Sequence, residues 1–134
     1  MQRPRSRGGT VFGSTEEVSA VKGSEKAVWS AELDELLTRL GRQERPYLEF
    51  FRTAGFSAGL YRLLGGAEDR QKPHREDELY WVLEGKAQFE AEGKRRPVQS
   101  GTVLSVPASV PHRFVDIEKD LLVLVLFAPP ESET

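Results

Sequence analysis

The chain has two histidines and no cysteine, so metal ligation or catalysis must draw on imidazole, carboxylate, amine or hydroxyl groups. His74 and Glu78 stand four residues apart in PHREDELYWVLEG, and His112 lies in PASVPHRFVD. In a strand with regular alternation Glu78, Tyr80 and Val82 share one face, as His112, Phe114 and Asp116 do in theirs. If both faces look into one interior, two imidazoles and one carboxylate converge. Such a set suits one divalent metal ion, whether Fe, Mn, Zn, Ni or Cu, and leaves positions open for water or substrate. The ordinary alternative is that the histidines are polar residues at the mouth of a barrel and that Glu76, Asp77 and Glu78 form a solvated acidic turn. Against it, a carboxylate within an otherwise apolar strand is costly to bury without a partner or a cation.

The elements that must carry these residues read as a β architecture. From Tyr47 onward short apolar and aromatic runs alternate with Gly, Pro and charged turns, the texture of an antiparallel sandwich or barrel. The expected strands are Leu48 to Arg52, Phe56 to Leu64, Leu79 to Leu83, Ala87 to Ala91, Val103 to Val106, His112 to Asp116 and Leu121 to Phe127. Glu92-Gly93 marks a hairpin before KRRPV. Ahead of the strands, Leu33, Leu36, Leu37 and Leu40 sit at helical spacing, which predicts an amphipathic helix over Ser30 to Leu40 with Ser30 as N-cap and Gly41 just past its end. Packing outside the barrel is its ordinary role and a partner-binding face the alternative. Residues 1 to 27 carry few large apolar side chains and are expected to form a flexible arm, with a short strand near Val18 to Val21. Residues 28 to 134 then make one domain with its barrel core at about 47 to 128.

Composition narrows the partners. A formal net charge of -2 with 30% charged residues offers no field for nucleic acid or anionic membrane, and no apolar run is long enough to span a bilayer. A small molecule or a second copy of the chain is the expected partner, and the cytoplasm the expected location. Leu79, Trp81 and Leu83 fall on the strand face opposite Glu78 and need cover, which points to a homodimer.

At the histidines the sequence resembles the cupin superfamily. The first cupin motif reads G, five residues, H-x-H, three or four residues, E, six residues, G, and Gly66, Lys72, His74, Glu78 and Gly85 fall on it. The second reads G, five residues, P-x-G, two residues, H, three residues, N, where Gly101, Pro107, Ser109, His112 and Asp116 stand. Lys72, Ser109 and Asp116 depart from the pattern. The resemblance implies an all-β jelly roll (double-stranded β-helix) with one helix outside, and a metal held by His74, Glu78 and His112. Lys72 occupies the place of a missing histidine. It is either a surface lysine or an inward group that anchors an anionic substrate or acts as a base, and so the candidate catalytic residue. Tyr80, Val82, Phe89, Phe114 and Asp116, with Lys72, are the expected pocket lining. Two functions follow from the resemblance. One is a metal-dependent enzyme of dioxygenase or isomerase type; the other is a non-catalytic binding or sensing domain whose metal site is weakened or absent.

Overall fold

The computed structural model describes residues 21–22 and 27–132. The expected arm, residues 1 to 27, lies almost entirely outside them. What is described there is strand β1 (Val21–Lys22), which pairs in parallel with β2.

Helix α1 (Leu33–Gly41) begins later than Ser30 because a capping box at its start satisfies the free N–H groups: Glu35 Oε1 accepts from the Glu32 N–H at 2.9 Å, while Glu32 caps the Glu35 N–H. A reciprocal cap outcompetes a single serine upstream. Gly41 is the last helical residue rather than the one beyond it. Leu36 and Leu40 are buried against Leu48, Leu60 and Leu122, with Leu83 and Leu124 at the margin. Those partners point away from the barrel interior, so the helix lies outside, as its single apolar stripe dictates.

The remaining strands are β2 (Tyr47–Arg52), β3 (Ser57–Leu63), β4 (Asp77–Ala91), β5 (Lys94–Gln99), β6 (Val103–Val106) and β7 (His112–Ala128). They pair in the order β1-β2-β3-β7-β4-β5, with β6 on β4, and every pairing but that of β1 is antiparallel. Here the strand expectation needs correcting. Leu79 to Leu83 and Ala87 to Ala91 are one continuous strand, as are His112 to Asp116 and Leu121 to Phe127. The charged stretches between them are bends, where the β4–β7 register shifts at Val82/Glu84, Glu84/Lys86 and Lys86/Gln88.

Those bends position the site. Along β4, Glu78 pairs with Phe127 near one end of the ribbon and Ala91 with His112 at the other. A straight strand of that length would hold the two ends roughly 40 Å apart. The ribbon instead curls until Glu78 Oε1 and His112 Nε2 are 3.1 Å apart. The jelly roll closes around a core of Tyr61, Leu63, Tyr80, Val82, Phe89, Phe114, Val123 and Phe127, among others. Among the described residues, no helix is long and apolar enough to cross a membrane.

Candidate functional site

Alternation in β4 turns Glu78, Tyr80 and Val82 inward and leaves Asp77, Leu79 and Trp81 outside. Inside, a cavity of about 160 Å³ is lined by Tyr61, Gln71, His74, Glu78, Tyr80, Val125 and Phe127, with Arg45, Tyr47 and Glu131 completing its wall. His112 sits behind Glu78 and Tyr80, with its side chain 1% exposed.

Hydrogen bonds fix the protons of this group. His112 Nδ1 lies 2.8 Å from the Val110 carbonyl; a carbonyl only accepts, so Nδ1 carries a proton. Nε2 then faces inward, 2.9 Å from the Tyr80 hydroxyl and 3.1 Å from Glu78 Oε1. Gln71 Nε2 donates to Asp69 Oδ2 at 2.7 Å, which turns Gln71 Oε1 towards Tyr80 to accept its hydroxyl proton at 3.0 Å. With that single proton spent, the space between His112 Nε2 and Glu78 Oε1 must hold a further proton, on the imidazole or on the carboxyl, or a cation. Burial alone would push the His112 pKa down, but the hydrogen bonds to Glu78 and the Val110 carbonyl outweigh it, and the net displacement is upward. Tyr80 is held well above the usual tyrosine range by burial and by the Glu78 charge. Behind them, the buried Asp69 accepts from the Tyr61 hydroxyl (2.7 Å), the Gln71 N–H (3.2 Å), Gln71 Nε2 and the Phe114 N–H (2.8 Å).

Two buried oxygens in the cavity wall have no hydrogen-bond partner among the described residues, Glu78 Oε2 and the Tyr47 hydroxyl. The Tyr47 ring reaches this wall only because residue 59 is glycine, since a Cβ there would fall 2.2 Å from the ring. His74 lies further out: its ring is 6.2 Å from that of His112 and 4.8 Å from Phe127, and Nδ1 is 3.3 Å from Glu131 Oε2. Glu131 is pushed up to about 7, first by burial and then by Glu49, Glu76 and Glu78.

The structure thus brings Glu78 and His112 into contact and places His74 one ring away. Among the described residues, no three His, Asp or Glu side chains form a ready-made ion cage. The donor chemistry nevertheless fits a divalent cation: an orphaned carboxylate oxygen, a neutral-tautomer imidazole whose free nitrogen points at that carboxylate, and a second imidazole on the same cavity. Of the expected lining, only Tyr80 faces the cavity, beside His74 and Glu78. Val82, Phe89 and Phe114 are core. Lys72 is exposed and stands apart from the cavity wall, which corrects its inward reading. Asp116 is also outside, 67% exposed and paired with Arg95 at 2.9 Å. The residues that sequence alone did not single out are Tyr47, Tyr61, Asp69, Arg45 and Glu131. Asp69 and Glu131 lie in loops whose composition looks solvated, and no periodicity marks them.

The motif positions outside the ligand set are backbone devices. Gly66, Gly85, Gly101, Ser109 and Asp116 all have positive φ, between 50° and 110°, so Gly and Asn are favoured there for steric reasons. Ser109 also donates its N–H to the His74 carbonyl at 2.6 Å, tying one motif to the other.

The Cupin domain family model matches residues 59–127, half of the chain, and that stretch holds both motifs. This chain belongs to the cupin family. A protein of Streptomyces coelicolor that is itself uncharacterised is 45% identical to this cupin over 100 residues, 75% of this chain and 95% of that protein. The crystal structure of TT1209 from Thermus thermophilus superposes with a TM-score of 0.60 at 22% identity, over 75% of this cupin and 97% of that chain, and so shares the fold. The DMSP lyase DddQ from Ruegeria pomeroyi matches with a TM-score of 0.54 at 25% identity over 59% of this cupin, which spans 40% of the lyase.

Proposed function

We propose that this cupin holds one divalent metal ion at Glu78 and His112, with His74 as third donor, and acts on a small organic molecule admitted to the adjoining cavity, in a reaction of dioxygenase or isomerase type. The observation that carries the reading is the buried Glu78, 4% exposed, with Oε2 unpartnered and Oε1 facing the imidazole nitrogen that lacks a proton in the neutral ring. Two facing acceptors are unfavourable unless a proton or a cation lies between them, and only a cation also serves Oε2. A bound metal would supply Lewis-acid or redox chemistry to a ligand in the open positions. Around it, Tyr80 commits its proton to Gln71 Oε1 and leaves the lone pair of His112 Nε2 free for a cation; Tyr47 offers an uncommitted hydroxyl to a ligand; Arg45 lends the cavity wall a cation. Likeness to a lyase supports an enzyme without specifying its reaction.

The second reading, a binding or sensing cupin without metal, is favoured by one feature: Asp69, Gln71, Tyr80, His112 and Glu78 Oε1 close into one network once a proton sits on His112 Nε2, with Glu78 Oε2 left over. Metal analysis of protein purified without an affinity tag separates the two. About one iron, manganese, zinc, nickel or copper per chain is expected, with strong loss in both His112→Ala and Glu78→Gln while unfolding stays cooperative. Metal-free protein that takes up none on reconstitution would overturn the metal reading and leave the second to be tested by ligand binding.

A further inference from the structure

The two imidazoles of the site face different kinds of acceptor at Nδ1. His112 Nδ1 is held by a main-chain carbonyl inside its own loop, that of Val110. His74 Nδ1 lies 3.3 Å from a carboxylate beyond the last strand, Glu131 Oε2, at ion-pair distance. We propose that Glu131 is a positioning residue for the metal site: by accepting the Nδ1 proton of His74 it leaves Nε2 as the ring's free lone pair and presents that atom to the cation. The proposal rests on the metal reading above and assigns a function to the segment after β7.

The attachment of that segment supports the role. Arg52 Nη2 donates to the Glu131 carbonyl at 2.6 Å, the Glu131 N–H donates to Ser57 Oγ at 2.9 Å, and the Ser132 N–H donates to Glu76 Oε2 at 3.1 Å. Ser57 and Glu76 are 0% and 4% exposed. Two buried polar side chains and an arginine, from the β2–β3 hairpin and from the residue before β4, are therefore committed to the backbone of Glu131 and Ser132. An acceptor fixed this firmly can fix an imidazole in turn. Phe127 braces the ring, 4.8 Å away by centroid, so the ring plane and the tautomer are both set. A carboxylate on the far nitrogen also makes the near one a stronger donor. With Lys72 exposed where the family pattern has a histidine, the remaining histidines carry more of the affinity, and their orientation counts for more.

The test uses the full chain, unaltered and as Glu131→Ala and Glu131→Gln. With only two histidines, a nitrogen-15 spectrum of the metal-free protein, taken above the imidazole titration range, reports each ring separately. His74 is expected as the Nδ1–H tautomer in the unaltered protein and to lose that preference in Glu131→Ala, with His112 unchanged. Cobalt(II) affinity, measured by competition with a chelator, should fall by about 10- to 100-fold in Glu131→Ala and less in Glu131→Gln, which keeps an acceptor oxygen. The visible bands of bound cobalt should keep their shape, because the ligands themselves are unchanged. An Nε2–H tautomer for His74 in the unaltered protein, or affinity unchanged in Glu131→Ala, overturns the proposal. Changed cobalt bands would make Glu131 a ligand and overturn it too. Failure of the unaltered protein to take up cobalt is a different result, and removes the metal reading together with the role built on it.

Discussion

Asp69 is the residue on which the inner wall of the site depends. Its two oxygens accept four hydrogen bonds, from Tyr61, from the main chain and side chain of Gln71, and from the Phe114 N–H, and it is 5% exposed. Every one of those partners is a donor, so the site wants an acceptor at both oxygens. Asp69→Asn keeps the shape but puts an NH2 group against donors, leaving at least one buried pair unsatisfied. We expect a loss of about 2–3 kcal/mol, read from the denaturant midpoint. Because Gln71 would also lose its fixed orientation, Tyr80 should regain freedom to donate to His112, and reconstituted metal binding should weaken alongside stability. A midpoint within experimental error of the unaltered protein would mean that water replaces the carboxylate.

At the scale of elements, the bends in β4 and β7 explain both what was legible in advance and what was not. The inward set Glu78, Tyr80 and Val82 follows from a period of two, and so it was readable. Glu84-Gly85-Lys86 and Asp116 to Asp120 look like turns because charge and glycine interrupt the apolar pattern. A bend within a paired strand, however, uses the same residues as a turn that ends one. Only the pairing partner decides, and that partner is far away in sequence. The same limit hid Phe89 and Phe114. Alternation places them on the inner face, but it cannot say at what depth the cavity gives way to core. Glu131 was unreadable for a simpler reason, since it lies beyond any repeating pattern. Gly85 is where the bend is most constrained: φ is +110°, and a Cβ would lie 2.4 Å from the Asp120 carbonyl oxygen and 2.7 Å from Leu121 Cα. Both obstacles are backbone of the partner strand, so Gly85→Ala must open the ribbon. We expect a cost of at least about 2–3 kcal/mol, seen in thermal unfolding, with metal affinity reduced as Glu78 and His112 drift apart. Tolerance of alanine there would show that the ribbon is not held at this point.

For the whole molecule, the outer face is the feature a single copy leaves unfinished. Helix α1 covers the part around Leu48, Leu60 and Leu122 and reaches Leu83, so that residue of the expected dimer face is partly accounted for within the chain. Next to it, Leu79, Trp81 and Val103 remain 40%, 49% and 58% exposed. They are contiguous: Trp81 is registered against Val103 on β6 and Leu124 on β7, and Leu79 against Leu126. An apolar strip across three neighbouring strands, with charged Asp77 and Glu84 on β4 at its two ends, is wide enough to drive association. A second copy is the cover we propose, because a strip centred on one tryptophan can meet its twofold mate ring against ring, and twofold pairing is the commonest solution for such a face. Light scattering after a sizing column should give twice the chain mass at micromolar concentration. Trp81→Glu should shift it to the single-chain mass while metal content stays the same, since Trp81 points away from the cavity. A monomer at high micromolar concentration in the unaltered protein would remove the dimer. A Trp81→Glu variant that still dimerises would move the interface to another face, with the aromatic surface of Trp29, Phe50 and Phe51 the next to test.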